Sequence, residues 1–213
     1  MRQALYSIGI DEAGRGPLAG PVAVGAVLLL SDFNWELLPG VGDSKKVTPR
    51  RRELIFGAAQ KLQTEGLLEY VVIMKTAQEI DSKGIVPCIK AALTEALEHL
   101  EQVFSREKNL SVRPLSKLAV VKLDGGLKAP AHYLNQETII KGDAKELVIG
   151  LASIMAKVTR DHYMEKQSRK AAFAPYQFDV HKGYGTKIHR QLIKQHGLSK
   201  EHRASFCRNI FKV

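Results

Sequence analysis

The sequence is poor in cysteine and has no long hydrophobic run, and each absence excludes a class of protein. Its 213 residues include two cysteines, Cys88 and Cys207, which are far apart and in no ligand-like spacing. A disulfide framework or a zinc site is therefore not expected. The longest apolar run, Val22 to Leu30, contains a glycine and is too short to cross a bilayer. The first residues, MRQALYS, lack the apolar region of a signal peptide, so we expect a cytoplasmic protein without membrane contact.

Acidic residues are also few relative to basic ones. The chain has 32 Lys and Arg against 22 Asp and Glu, which gives a formal charge of +10. The excess is concentrated after position 181, where eight basic residues accompany one acid, Glu201. Such an asymmetry favours a polyanionic partner, most often nucleic acid. A basic protein without such a partner is the alternative.

The hydrophobic pattern predicts one α/β domain with a helical appendage. Hydrophobic residues make up 45% of the chain, which is enough for a sizeable core. Period-two and buried runs predict strands over 5–10, 22–30, 67–74, 118–123 and 138–140. Helical spacing predicts helices from Pro49, over 85–104, after Asp143 and over 188–195. We expect a mixed central sheet flanked by helices over residues 1–172, with a helical extension over 173–213.

Carboxylates follow three of the apolar segments. The stretches IGIDE, AVVKLDGG and ETIIKGDAKE place Asp11, Asp124 and Asp143 where a strand gives way to glycine or to a helix. In open α/β sheets, sites form outside the strand ends. Carboxylates gathered there repel one another and raise each other's pKa, and a hard divalent cation relieves the repulsion. The pattern therefore indicates a Mg²⁺ or Mn²⁺ site.

Each of these acids also has a purely structural interpretation. Asp143 is a possible helix N-cap, with Glu146 completing a capping box. Asp124 before Gly-Gly is a possible turn former. Asp11 and Glu12 are neighbours on a strand, where successive side chains face opposite sides, so both can serve one site only if the strand ends near Ala13.

Seven motifs, in a fixed order, resemble the bacterial and archaeal ribonuclease HII family. They lie between residues 7 and 206 and read GIDEAGRGPLAGPVAVGAV, GDSKKVTPRRRE, LDGG, KGD, LASIMAKVTRDHYM, HKGYGT and HRASF. The resemblance implies a ribonuclease H-like fold and an endoribonuclease that hydrolyses the RNA strand of RNA–DNA hybrids. It also implies nicking 5′ to single ribonucleotides in duplex DNA, two Mg²⁺ or Mn²⁺ ions, a metal-activated water, and products with 3′-hydroxyl and 5′-phosphate ends. By the same resemblance, residues 1–172 form the catalytic domain and residues 173–213 a substrate-binding extension packed on it. The family also implies a monomer.

The resemblance assigns roles to individual residues. The four carboxylates that match the family's metal ligands are Asp11, Glu12, Asp124 and Asp143. The loop Gly14-Arg15-Gly16 is implied to contact the ribonucleotide, since glycines allow close backbone approach and the 2′-hydroxyl distinguishes RNA from DNA. Tyr184 of HKGYGT matches a tyrosine that stacks beside the ribose; a packing aromatic is the alternative.

Further residues are expected to contact the substrate, although their motifs are less specific to the family. Asp43, Ser44 and Lys45 resemble a phosphate-contacting segment, with a plain turn as the alternative. The remaining candidates are Ser153, Lys157, Arg160 and Lys182. An ion pair between Lys157 and Asp161 on a helix surface is the alternative for Lys157.

Other basic side chains are expected to act without sequence specificity. The run Arg50-Arg51-Arg52 is interpreted as a solvated helix face that adds to the attraction for a nucleic-acid backbone. We expect the tail histidines 181, 189, 196 and 202 to be solvated or to touch phosphate. No clamp-binding peptide is evident in the C-terminal CRNIFKV.

Two other functions are compatible with clustered acids and a basic surface. A nuclease or integrase of the same fold would cut all-DNA substrates, and the GRG triplet beside the acids argues against it. A non-catalytic hybrid-binding module would use the acids only as caps and turns.

Overall fold

A five-stranded mixed sheet forms the centre of the protein. The computed structural model describes residues 4–42, 47–108 and 114–211. The strand order is β3-β2-β1-β4-β5, in which β1 pairs antiparallel with β2 and parallel with β4. The pair β2–β3 is antiparallel and the pair β4–β5 is parallel. The strands are β1 (Tyr6–Ala13), β2 (Val22–Leu30), β3 (Leu68–Lys75), β4 (Ala119–Asp124) and β5 (Gln136–Ile139).

Helices cover both faces of this sheet, which confirms the predicted α/β class. They are α1 (Pro49–Thr64), α2 (Ala77–Lys83), α3 (Ile85–Lys108), α4 (Leu115–Leu118), α5 (Gly142–Lys145), α6 (Leu147–Ser168), α7 (Phe178–His181), α8 (Lys187–His196) and α9 (Ala204–Cys207). Short 3₁₀ turns occupy Trp35–Leu37 and Ala174–Tyr176. One apolar cluster joins α3 to the sheet, and a second joins α1 and α6 to the opposite face. Within the described ranges, no helix combines the length and apolar character that crossing a bilayer requires.

Local sequence signals explain where the helices begin. Thr48 caps α1 by accepting a hydrogen bond from the Arg51 amide, and Pro49 occupies the first turn. The hydrophobic pattern does not predict α2, although Thr76 and Glu79 form a reciprocal capping box at its start. Its seven residues are too few for the apolar periodicity to be recognised.

Helix α6 approaches the sheet very closely at two glycines. A Cβ atom on Gly9 of β1 would lie 2.2 Å from the carbonyl oxygen of Val148. A Cβ atom on Gly25 of β2 would lie 2.4 Å from the carbonyl oxygen of Ala152. Only a residue without a side chain permits this contact, which fixes the height of α6 above the strands.

The C-terminal helical extension packs against the loop that follows β1. Leu18 of this loop shares a small apolar cluster with Ile193, Cys207 and Ile210. The Gly183 carbonyl accepts hydrogen bonds from the amides of Leu18 and Ala19 at 2.8 and 3.2 Å. The extension is therefore joined to the same segment that contains the GRG triplet.

We predict that Gly9→Ala destabilises the protein by about 3 kcal/mol or more, because its methyl group would collide with rigid backbone. Gly57→Ala is the matched control, since Gly57 is exposed on α1 and an added methyl group would meet no atom within 4 Å. It should stabilise the helix by up to about 1 kcal/mol. Urea denaturation of both variants measures the difference. Equal stabilities would contradict the close α6 contact.

Candidate active site

The two central parallel strands end at different heights, and this leaves a gap in the sheet. Pairing between β1 and β4 stops at Ile10 opposite Leu123. Pairing between β1 and β2 continues, with Asp11 opposite Gly25 and Glu12 beyond it. The strand predicted over 5–10 therefore extends to Ala13, and both acids lie within β1. At these two residues β1 is still paired with β2 but no longer with β4.

The gap opens into a cavity of about 290 Å³ in which three of the four predicted carboxylates meet. Asp11 and Glu12 come from β1, and Asp124 is the last residue of β4. The cavity is also lined by predicted substrate residues, namely Gly14, Arg15, Gly16, Ser153, Lys157 and Tyr184. These predicted residues come from two strands, one loop, helix α6 and the C-terminal extension, and the fold brings them to one place.

The electrostatics of the cavity favour a bound cation. Burial raises the pKa of Asp11 to about 7, and the negative charges of Glu12 and Asp124 add to the effect. A hydrogen bond from Ser153 acts in the opposite direction. Burial also raises the pKa of Glu12, which the positive charge of Arg15 partly offsets. Burial and mutual repulsion are the effects expected of carboxylates that share an enclosed site.

All three cavity carboxylates are engaged by protein groups. The Glu12 amide donates a 2.7 Å hydrogen bond to Asp11 Oδ1. Glu12 Oε1 lies 2.9 Å from Arg15 Nε. The Gly142 amide donates a 2.6 Å hydrogen bond to Asp124 Oδ1. With these side-chain positions, no group of three or more His, Cys, Asp or Glu residues in the described part of the chain has metal-binding geometry. The donor set has the oxygen chemistry of a hard-cation site, but Glu12 would have to leave Arg15 to complete it.

Asp143 lies beside the cavity rather than in its lining. It is buried in the first turn of α5, next to the Gly142 amide that binds Asp124. The cap of that helix is Lys141, so the N-cap interpretation of Asp143 is wrong. The simple turn interpretation of Asp124 is incomplete, because its side chain reaches across the chain to Gly142.

The two glycines of the GRG triplet differ in what surrounds them. Gly14 has φ +88°, and a Cβ there would lie 2.2 Å from Arg160 Nε. Internal packing therefore accounts for Gly14. A Cβ on Gly16 would meet no atom within 4 Å, although Gly16 lines the cavity. The space beside Gly16 is open for an approaching ligand.

Two fully buried arginines hydrogen-bond backbone carbonyls of the loop after β1. Arg203 donates to the carbonyls of Gly14, Arg15 and Gly20 at 2.7, 3.1 and 2.9 Å. Arg160 donates to the carbonyls of Ala19, Pro21 and Lys182 at 3.0, 2.8 and 3.0 Å. Because its guanidinium is enclosed by backbone, we expect Arg160 to position these loops rather than to contact a substrate. Apart from its place in HRASF, Arg203 carries no sequence signal of this role.

Tyr184 lies near two cationic side chains and lines the cavity. Lys157 Nζ and the Arg160 guanidinium carbon lie 5.5 and 5.6 Å from its ring centroid. Lys157 also pairs with Asp161 at 2.6 Å, so the helix-surface ion pair and a place in the cavity lining coexist. The ring is 41% exposed and is not a core aromatic. Lys182 lies outside the lining and pairs with Glu165.

Three of the tail histidines are buried, which contradicts the expected solvated role. Their hydrogen bonds are consistent with neutral rings: His202 Nδ1 accepts from the Ser199 amide, and His202 Nε2 lies 3.1 Å from His189 Nε2. His189 Nδ1 lies 2.9 Å from the Tyr184 carbonyl oxygen. Burial lowers the pKa of His189 to about 3 and of His202 to about 4. His181, stacked on His189, is the third, whereas His196 is exposed.

The sequence pattern misses two residues of the cavity lining, Ala13 and Arg52. Arg52, interpreted as part of a solvated helix face, lines the cavity and donates to the Val47 carbonyl at 2.7 Å. The predicted phosphate-contacting residues Asp43, Ser44 and Lys45 lie outside the described residues.

The family model for ribonuclease HII matches residues 8–212. The chain belongs to the ribonuclease HII family. Ribonuclease HII from Caldicellulosiruptor bescii is 40% identical over 208 residues, covering 98% of this chain and 89% of the relative. As a member of this family, the chain is a ribonuclease H endonuclease, and ribonucleases H act on RNA–DNA hybrids. This decides against the integrase and the non-catalytic module.

Solved structures support the same fold for this ribonuclease HII. Ribonuclease H2 from Pyrococcus horikoshii OT3 superposes with a TM-score of 0.62 at 28% identity and covers 96% of each chain. Ribonuclease HII from Archaeoglobus fulgidus, solved in complex with PCNA, has a TM-score of 0.69 at 24% identity, with coverage of 98% and 96%.

We predict that Asp11→Asn stabilises the metal-free protein near pH 8 by on the order of 3 kcal/mol. The folded-state pKa of Asp11, about 7, lies above the ordinary 3.8. The folded protein therefore binds more protons and loses stability as the pH rises through this window. The gain should vanish near pH 4, where Asp11 is protonated in the folded protein.

Urea denaturation in EDTA at the two pH values measures this gain, and the exposed Asp32→Asn is the control. A gain of the same size at both pH values would show that relief of a buried charge is not its source.

Proposed function

We propose that this ribonuclease HII nicks duplex DNA on the 5′ side of a single ribonucleotide, using two divalent ions held by Asp11, Glu12, Asp124 and Asp143. The supporting observation is that three of these carboxylates share one cavity with Gly16 and Tyr184. A group that recognises ribose and a group that promotes phosphodiester hydrolysis would then act on the same nucleotide. Mg²⁺ or Mn²⁺ is the proposed cofactor, since the donor set consists of carboxylate oxygens.

Bound divalent ions would supply charge neutralisation at the scissile phosphate and a water of lowered pKa. The protein's own residues supply the arrangement. Ser153 and the Glu12 amide hydrogen-bond Asp11, and the Gly142 amide hydrogen-bonds Asp124, so both carboxylates are held by protein groups. Glu12 is the ligand that must change partner, because it pairs with Arg15. Release of Arg15 would then free its guanidinium for a phosphate of the substrate.

Ribose recognition is assigned to the loop after β1. Arg203 fixes the carbonyls of Gly14 and Arg15, so the peptide units of the GRG triplet have one orientation. A fixed backbone beside open space at Gly16 is suited to hydrogen-bond a 2′-hydroxyl, which is both donor and acceptor. Tyr184, flanked by Lys157, would pack against the sugar.

The extension 173–213 is proposed to take part in substrate binding, since it provides Tyr184 and Arg203. Residue Lys182 of the same segment would support the Tyr184 turn through its carbonyl, which Arg160 binds. We propose that the protein acts as a monomer. PCNA is the partner of the Archaeoglobus protein, and no clamp contact is proposed for this chain.

Cleavage-site mapping tests this function. Four duplexes are incubated with Mg²⁺ or Mn²⁺: a full hybrid, DNA with one ribonucleotide, all-RNA and all-DNA. We expect cleavage of the first two only, and a single nick 5′ to the lone ribonucleotide that leaves 3′-hydroxyl and 5′-phosphate ends. Asp124→Asn should lower the rate by about 10² or more, whereas Asp32→Asn should not. An uncut single-ribonucleotide duplex in both metals would contradict the proposal.

A further inference from the structure

A second cavity adjoins the candidate active site, and no role has been assigned to it. It has a volume of about 370 Å³ and lies between the first turns of α3 and the turn that follows β4. We name it the α3 groove. Its lining residues are Arg15, Val86, Ile89, Lys90, Leu93, Gly126, Leu127 and Lys128. Arg15 lines both this groove and the active-site cavity, so the two lie on either side of its side chain.

The charge of the α3 groove is entirely positive. Three of its lining residues are cations, from three separate segments of the chain, and none is an acid. Lys90 and Lys128 are exposed, and no carboxylate of the described residues pairs with either. Farther along α3 the surface becomes acidic, with Glu95 and Glu98 lining the next depression. Lys90 lines that depression as well, so the lining changes from wholly cationic to mixed along α3 away from the active site.

The other lining residues indicate which part of a nucleic acid fits. The groove has no aromatic lining residue on which a base could stack. It also has no amide or hydroxyl side chain that could read a base edge. Cations around an aliphatic floor suit phosphates and sugars, which position a duplex without reading its sequence.

We propose that the α3 groove binds the sugar–phosphate backbone of the duplex next to the cleavage position, with Lys90 and Lys128 contacting phosphates. This rests on the proposed function, because the occupant of the active-site cavity is taken to be the same duplex. Arg15 would connect the two sites: when Glu12 turns to a metal, the Arg15 guanidinium becomes available at the boundary between them.

The test compares Lys90→Ala/Lys128→Ala with Lys61→Ala/Lys117→Ala, which removes two exposed lysines outside the lining of either cavity. Lys117 lies before the start of β4, at the opposite end of that strand from Asp124. Binding of an all-DNA duplex is followed by fluorescence anisotropy in EDTA across a range of salt. We expect the groove variant to bind about tenfold more weakly near 0.1 M salt. The slope of log K against log salt should fall in magnitude by about 2.

The control double variant should bind like the wild type. Equal weakening of both variants would assign the effect to net charge and overturn the proposal, as would no weakening of either. Both variants change exposed side chains, so thermal melting should be unaffected.

The binding measurement does not depend on cleavage. Failure of the proposed function would appear as an uncut ribonucleotide duplex, whatever the measured affinities of the variants for DNA.

A second binding measurement in EDTA uses a DNA duplex that contains one ribonucleotide, with neutral methylphosphonate linkages placed one at a time along it to locate the contact. We expect one or two linkages near the ribonucleotide to weaken binding by the wild type but not by the groove variant, because the partner lysines are already absent. If every neutral linkage weakens both proteins equally, the lysines do not contact phosphates and the proposal fails.

Discussion

The close contact of α6 with β1 and β2 is the constraint on which the candidate site depends. Gly9 and Gly25 allow the helix backbone to lie where any side chain would prevent it. At that height Ser153 reaches Asp11 and Lys157 reaches the edge of the cavity. One turn further, Arg160 is buried against the loop after β1. A helix held farther from the sheet would separate the carboxylates on the strands from the side chains on the helix.

Polar groups buried around the cavity hold its irregular parts in place. The loop after β1 has no strand neighbour at Gly14 and Arg15, and the guanidinium of Arg203 satisfies its carbonyls instead. Of the three buried histidines of the extension, His189 and His202 bond to each other as neutral rings, and His189 also bonds to the Tyr184 carbonyl. His181 bonds to the Tyr176 carbonyl and accepts from the Gly183 amide. The buried guanidinium and the buried neutral imidazoles thus fix the backbone conformation of the segments that carry the exposed cavity residues. The chain tolerates them because their donors and acceptors are paired.

Much of this arrangement could be predicted from the sequence because its signals are local. The apolar run of β2, the Thr48-Pro49 start of α1 and the spacing of apolar residues in α3 each reflect a short-range preference. The strand-end position of Asp124 follows from the Gly-Gly pair after it. What could not be predicted depends on residues far apart in the chain: the role of Arg203 requires the loop at Gly14, and the burial of His189 requires His202. Helical spacing likewise could not show that Arg52 turns toward the cavity.

The central claim is that Asp11, Glu12 and Asp124 form one cation site. Calorimetric titration of the protein with Mn²⁺ tests this claim most directly. The wild type is compared with Asp11→Asn, Asp124→Asn and the exposed Asp32→Asn. Loss of a carboxylate ligand from either strand should weaken Mn²⁺ binding by at least about tenfold, while Asp32→Asn binds like the wild type. Unchanged Mn²⁺ affinity in both Asp11→Asn and Asp124→Asn would contradict a shared site.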